Sequence, residues 1–259
     1  MDLQLNGKLA VVTGSTAGIG YAIAEALARE GARVVVNGRT QAAVSEAVAK
    51  IGQGALGFAG DLGNAEQAAA LARKYPDVDI LVNNLGIFEP KPFEEIPDED
   101  WKRLFDVNVL SGVRLARAFL PGMKRRDWGR IIFISSESAI QIPAEMIHYG
   151  MTKSAQIAVA RGLAESLAGT RITVNSVLPG PTKSRGVDEF VGSMAQAQSK
   201  TFTQVEKEFF EHVRPTSLLK RFITPQEVGS LVAYVASPLA SATTGAALRV
   251  DGGVVKSAF

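Results

Sequence analysis

Short apolar runs, rich in β-branched residues, alternate with longer amphipathic stretches along most of the chain. This alternation limits the fold more than any other feature. Residues 9–13, 33–37, 56–59, 79–82, 130–135, 172–177 and 247–250 read as strands. Between them, residues 19–30, 40–51, 64–74, 98 to about 125, 149–168 and 225–236 carry helical spacing, with a bend expected near Pro121. Strands that are apolar on both sides, each followed by a helix, form a parallel sheet covered on both faces. Seven strands fit one doubly wound α/β domain. Thr40, Asn64 and Thr224 stand at helix starts as cap-type residues, and Pro225 fits a first helical position. The expectation is therefore a single domain over residues 1–259 with a mostly seven-stranded parallel sheet. Residues 183–222 break the rhythm, being polar, partly helical and without a strand; they read as a lid inserted over the site.

Composition narrows the function classes. A formal charge of +2 over 259 residues, with Lys124-Arg125-Arg126 as its densest basic run, gives no footprint for nucleic acid. No apolar stretch approaches ~20 residues, so no membrane span or membrane partner is expected, and a cytoplasmic protein is the default. The absence of cysteine removes disulfides, thiolate metal sites and a Cys nucleophile. His148 and His212 have no partners at metal spacing, so no metal is expected, and there is no G-x-S-x-G elbow. His148 reads as a pocket-wall or surface residue.

The first strand runs into Thr13-Gly14-Ser15-Thr16-Ala17-Gly18-Ile19-Gly20. Three glycines at a strand-to-helix junction let the backbone turn sharply and approach a pyrophosphate, which the helix N-terminus then faces with N–H donors. Further along stand Asp61-Leu62, Asn83-Asn84-Leu85-Gly86, Asn108, Ser136, Tyr149-Gly150-Met151-Thr152-Lys153, Asn175 to Gly180 with Pro179-Gly180, and Val250-Asp251-Gly252-Gly253. In this order, and with Ser136 standing 13 residues before Tyr149, the set resembles the short-chain dehydrogenase/reductase family over nearly the whole chain. Leu85 departs from that family's usual Ala. The resemblance implies a Rossmann-like fold and a hydride transfer between a nicotinamide cofactor and a carbonyl or alcohol carbon. It implies catalytic roles for Asn108, Ser136, Tyr149 and Lys153. It places cofactor contacts at Gly14, Ser15, Thr16, Gly18, Ile19, Gly20, Arg39, Asp61, Leu62, Asn84, Gly86, Tyr149, Lys153, Pro179, Gly180, Thr182 and Ser184. For Asn108 it implies a main-chain carbonyl holding a water that links Lys153 to solvent.

The residue chemistry agrees with that assignment. Tyr149 and Lys153 are four apart on a helix and share a face. A free phenol titrates near ~10, and an ammonium at ~4 Å in an effective dielectric of ~20 attracts the phenolate by ~4 kcal/mol, a scale of about three pKa units. Lys153 is expected to lower the Tyr149 phenol toward neutrality. Ser136, at the carboxyl end of a strand, can donate to a substrate carbonyl that gains charge as hydride arrives; Ser135 and Ser138 are alternatives disfavoured by spacing.

The position after the second strand, where an NAD-binding chain carries an acid for the ribose hydroxyls, reads Asn37-Gly38-Arg39. With Gly38 in the acid's place and Arg39 able to pair with a 2′-phosphate, NADP(H) is the expected cofactor, with NAD(H) secondary. Glu137, Ile142, Met146, Ser136 and Tyr149 are expected to contact a small carbonyl or alcohol substrate. Ile140, Ile142, Pro143, Met146, Ile147, Phe190, Met194, Phe202, Phe209 and Phe210 are expected either to form an apolar wall, suited to a lipophilic carbonyl such as a 3-oxoacyl thioester, or, for the aromatics, simply to pack the lid on the sheet or fill an oligomer interface. The alternatives are a sugar-acid or polyol dehydrogenase and a silent cofactor-binding regulatory protein. The resemblance further implies a homo-oligomer, expected to be a tetramer.

Overall fold

The structure, a computed structural model, describes residues 2–183 and 200–258. Seven parallel strands, β1 (Leu9–Val12), β2 (Arg33–Gly38), β3 (Leu56–Ala59), β4 (Ile80–Asn83), β5 (Gly129–Ile134), β6 (Ile172–Pro179) and β7 (Ala247–Val250), lie in the order β3-β2-β1-β4-β5-β6-β7. The order reverses between β1 and β4, so the helices leave those two strands on opposite faces and a crevice opens at their carboxyl ends. Side chains along each strand sort by parity. Ala10, Val12, Val34, Val36, Val82, Ile132 and Ile134 pack on one side with Ile23 and Leu27 of α1 (Gly18–Arg29) and Val228 and Val232 of a later helix. Val11, Val35, Leu81, Ile131, Phe133 and Val174 pack on the other with Leu71 of α3 (Ala65–Lys74) and Leu115 and Phe119 of α5 (Ser111–Arg126). Both faces are covered, which is why the strands read as unbroken apolar runs.

The helix starts follow the cap residues. Thr40 accepts from Ala43 N–H at the start of α2 (Gln41–Ile51), and Asn64 accepts from Glu66 and Gln67 N–H at α3. After α7 (Phe202–Glu208), Thr224 and Glu227 form a reciprocal capping box at α8 (Pro225–Ala236), with Pro225 in its first turn. α8 lies tight on α1: a Cβ on Gly229 would fall 2.8 Å from the Ala22 carbonyl oxygen.

One expected helix is broken, though not where proline suggested. α4 (Asp98–Phe105) passes through a π-helical turn, Asp106–Leu110, into α5, and α5 continues across Pro121 to Arg126. Pro121 and Arg117, whose carbonyl loses its intrahelical donor, both face solvent, where water can serve that carbonyl. Lys124, Arg125 and Arg126 occupy the last turn of α5, opposite in charge to that end of the helix dipole. α6 (Ile147–Glu165) begins two residues before Tyr149. Within the expected lid, Phe202, Phe209 and Phe210 pack with Val205 on Phe222. Those aromatics are held in the segment's own small core rather than in an open wall. Phe190 and Met194 lie outside the described residues.

Candidate active site

The glycine-rich turn sits at the carboxyl end of β1 beside the switch point. Gly14 and Gly18 take φ of +59° and +57°, which side chains rarely adopt. A Cβ on Gly20 would fall 2.4 Å from the Gly14 carbonyl oxygen and 2.5 Å from Asn84 Nδ2. Only glycine lets the turn fold back this closely. Ala17 stands before α1 with no side-chain cap, so the first N–H groups of the helix, around Gly18, Ile19 and Gly20, are left for an anion. Asn84, just past β4, clasps the turn by donating from Nδ2 to the Thr13 and Gly14 carbonyls at 2.9 and 3.0 Å. Leu85 N–H donates to Thr13 Oγ1 at 2.8 Å, so the larger Leu85 side chain leaves the backbone of this junction intact.

Ser15 is placed differently from its neighbours. It is buried; its Oγ donates to Val12 O at 2.6 Å and accepts from Asn37 N–H, while its own N–H donates to Asn37 O. Its polar groups brace the turn against β1 and β2. Thr16 lies next to Gly38: a Cβ on Gly38 would meet Thr16 Cγ2 at 2.5 Å, so an acidic side chain there would have to displace Thr16. Arg39 follows, exposed and without an ion-pair partner among the described residues. Asp61 is exposed and accepts from Gly63 N–H at 2.9 Å, and Leu62 is buried. On the other side of the crevice, Pro179 ends β6 and Gly180 lies against β7, where a Cβ would fall 2.5 Å from the Asp251 carbonyl oxygen. Thr182 Oγ1 donates to Gly180 O at 2.8 Å. Ser184 lies outside the described residues.

Tyr149 and Lys153 project from the first turns of α6 toward the end of β5. Lys153 Nζ lies 5.5 Å from the Tyr149 ring centroid and donates to Ile134 O at 3.0 Å and to Gln156 Oε1 at 3.3 Å. Gly86 makes room for it, since a Cβ there would stand 3.3 Å from Nζ. Burial pushes the Lys153 ammonium down to about 8. Burial raises the Tyr149 phenol well above its usual value, the Glu137 charge pushes the same way, and a hydrogen bond with Ser136 works against them. This corrects the expectation that Lys153 lowers the phenol. The ammonium stands over the ring, hydrogen-bonded elsewhere, and loss of solvent drives both groups toward their neutral forms. The phenol therefore stays protonated.

Asn108 sits in the π-helical turn, which widens the helix at this point. Its Nδ2 donates to Ile87 O and to Thr152 Oγ1, and its Oδ1 accepts from Ile87 N–H. The Asn108 carbonyl that the resemblance assigns to a water accepts from Gln156 Nε2 at 2.6 Å. Gln156 thus bridges Lys153 to the Asn108 backbone. Sequence reasoning missed it, although its place three residues after Lys153 on the same helix face was a usable signal.

Ser136 Oγ donates to Glu137 Oε2 at 2.5 Å and accepts from Ser138 N–H at 3.1 Å. Ser135 Oγ donates to Lys153 O, away from the phenol, which leaves Ser136 as the serine beside Tyr149. Glu137 is itself buried and faces Arg214, whose Nε lies 3.4 Å from Oε1 and whose Nη1 lies 3.2 Å from Glu145 Oε1. Arg214 is a second residue that sequence reasoning missed, because 77 positions separate it from Glu137. Ile142 is exposed and packs over Gly150, and Met146 is half-buried just before α6. Phe88 meets the Tyr149 ring edge-on at 6.1 Å and is 61% exposed, so it too borders the opening. His148 is not at the surface: it is buried against Trp101, its ring nitrogens have no hydrogen-bond partner among the described residues, and burial lowers its pKa.

A family model described as enoyl-(acyl carrier protein) reductase matches residues 14–255. The chain is 47% identical to an uncharacterized oxidoreductase of Bacillus subtilis, YvaG, over all of both chains. It is 36% identical to the D-beta-hydroxybutyrate dehydrogenase of Cupriavidus necator, covering 97% of this chain and 99% of that one. Among solved structures, L-sorbose reductase from Gluconobacter frateurii, complexed with NADPH and L-sorbose, superposes with a TM-score of 0.94 at 30% identity, covering 99% of this chain and 100% of that one.

Proposed function

Because the chain belongs to the short-chain dehydrogenase/reductase family, we propose that it is an NADP(H)-preferring enzyme that interconverts a small carbonyl compound and a secondary alcohol, with Tyr149 giving and taking the proton. The observation that carries this reading is the grouping of Tyr149, Ser136 and Lys153 at the carboxyl edge of the sheet, next to a glycine cradle that a Cβ would fill.

The residues fit a nicotinamide dinucleotide. Backbone groups of Gly14, Thr16, Gly18, Ile19 and Gly20 would hold its pyrophosphate, and Arg39 a 2′-phosphate. Asp61 and Leu62 would border the adenine, while Asn84 and Gly86 shape the crevice. Lys153 would hold the nicotinamide ribose, and Pro179, Gly180 and Thr182, with Ser184 following, would line the carboxamide end. When bound, the cofactor supplies or removes the hydride. Ser136 and Tyr149 orient the substrate oxygen. The protonated phenol delivers its proton to that oxygen as charge develops on it. Lys153, Gln156 and Asn108 hold the floor of the site in place. Residues 183–222 act as the lid in this reading. The assembly we propose is a cytoplasmic homotetramer; among the described residues, no helix is long and apolar enough to cross a membrane.

NADPH in the solved L-sorbose reductase complex supports the choice of cofactor. The test is a parallel fluorescence titration with NADPH and NADH, followed by turnover on a panel of ketones. The reading expects tighter NADPH binding and NADPH oxidation on at least one ketone class. Tighter NADH binding would contradict the cofactor, and a silent panel would favour the regulatory alternative.

A further inference from the structure

The most unusual group at this site is the buried carboxylate of Glu137. It directly follows Ser136, is 5% exposed, and accepts the Ser136 hydroxyl, with 2.5 Å between Oγ and Oε2. Its other oxygen faces Arg214 at 3.4 Å, a long contact to a guanidinium already shared with Glu145. A serine hydroxyl has one proton. While Ser136 donates to Glu137, it cannot donate to a substrate carbonyl. If Ser136 turns to the carbonyl, Glu137 Oε2 loses its donor in a site where an unpaired carboxylate oxygen is costly. A plain ketone offers no replacement.

We propose that the substrate carries a hydroxyl on the carbon beside the reacting carbonyl, as α-hydroxy ketones and the matching vicinal diols do, and that Glu137 accepts that hydroxyl. This rests on the dehydrogenase reading of the same site. The neighbouring hydroxyl replaces the Ser136 donor as Ser136 swings to the carbonyl oxygen, so every buried group stays hydrogen-bonded through the exchange. In the alcohol direction one hydroxyl of the diol meets Ser136 and Tyr149 and the other meets Glu137. The charge balance points the same way. Two carboxylates, Glu137 and Glu145, face one guanidinium, Arg214, so this wall repels a carboxylate substrate and favours a neutral hydroxylated one.

The test compares matched pairs with NADPH as reductant: 1-hydroxy-2-butanone against 2-butanone, with acetoacetate as the anionic control. The expected kcat/KM is ~10- to 100-fold higher for the hydroxy ketone, the range for a hydrogen bond to a charged group, with acetoacetate the poorest. Glu137→Gln preserves shape but replaces the carboxylate with a weaker, neutral amide acceptor, so it should narrow the hydroxy-to-plain kcat/KM ratio at least about 10-fold. Equal kcat/KM on the pair, or an equal loss on both in Glu137→Gln, would overturn the role of Glu137 and leave the dehydrogenase reading standing. No turnover on any member would overturn both.

Discussion

At the scale of the residue, the site divides into what spacing reveals and what only folding reveals. Tyr149 and Lys153 are legible because four positions on a helix fix their shared face, and Ser136 because it stands just past the end of a strand. The pairing of Glu137 with Arg214 was not legible, since nothing in a local window links two residues 77 positions apart. The direction of the Tyr149 shift was also hidden, because burial, not the neighbouring charge, is its largest cause. Lys153 gives a pH prediction. Its pKa falls from the ordinary 10.5 to about 8, so the free enzyme loses the ammonium as pH rises through about 8. kcat/KM, which reports the free enzyme, should carry an alkaline limb near there; a limb beginning only above pH ~10 would contradict it. The same shift means that the folded chain binds fewer protons at this group than the unfolded chain between about 8 and 10.5, so the Lys153 contribution to stability rises with pH across that window. Arg39→Ala should weaken NADPH by about 10- to 100-fold, the scale of a lost charge-assisted hydrogen bond, and leave NADH nearly unchanged. Equal losses in the two titrations would remove Arg39 from the phosphate.

At the scale of the element, strands and caps were read within a residue or two because both faces of the sheet are apolar and the caps use ordinary side-chain chemistry. The π-helical turn at Asp106–Leu110 was not, because it leaves no compositional mark and is fixed by what its Asn108 must reach across the fold: Ile87, Thr152 and Gln156. The glycine turn makes the clearest prediction here. Gly20→Ala places a methyl 2.4 Å from the Gly14 carbonyl oxygen, so it should disrupt the cradle and abolish tight NADPH binding while circular dichroism still reports a folded sheet. Unchanged affinity would mean that the turn does not hold the cofactor. Thr224→Ala removes one half of the α8 capping box and should cost about 1 kcal/mol in urea unfolding; no change in midpoint would show that the box contributes nothing.

At the scale of the whole molecule, the alternation of strands and helices was enough to specify the doubly wound sheet. The reversal of strand order between β1 and β4 then determines where a ligand can reach the chain. The glycine-rich turn lies on one side of that crevice, and Ser136, Tyr149 and Lys153 on the other. Of the two roles expected for Phe202, Phe209 and Phe210, packing or lining, the first holds; hydrophobicity alone does not separate a segment's own core from a pocket wall, and Phe222, which ties the three together, lies at the far end of residues 183–222. The proposed homotetramer is checked by light scattering at micromolar concentration, where a mass four times that of the chain is expected and a monomer would contradict it.

The most direct test of the central claim is a single-turnover measurement of NADPH absorbance with Tyr149→Phe, run beside a fluorescence titration of the same variant. Removing the phenolic proton should slow NADPH oxidation by at least about 10²- to 10⁴-fold, the scale of general acid catalysis, while NADPH affinity stays close to that of the unaltered enzyme. Oxidation at an undiminished rate would show that Tyr149 is not the proton donor.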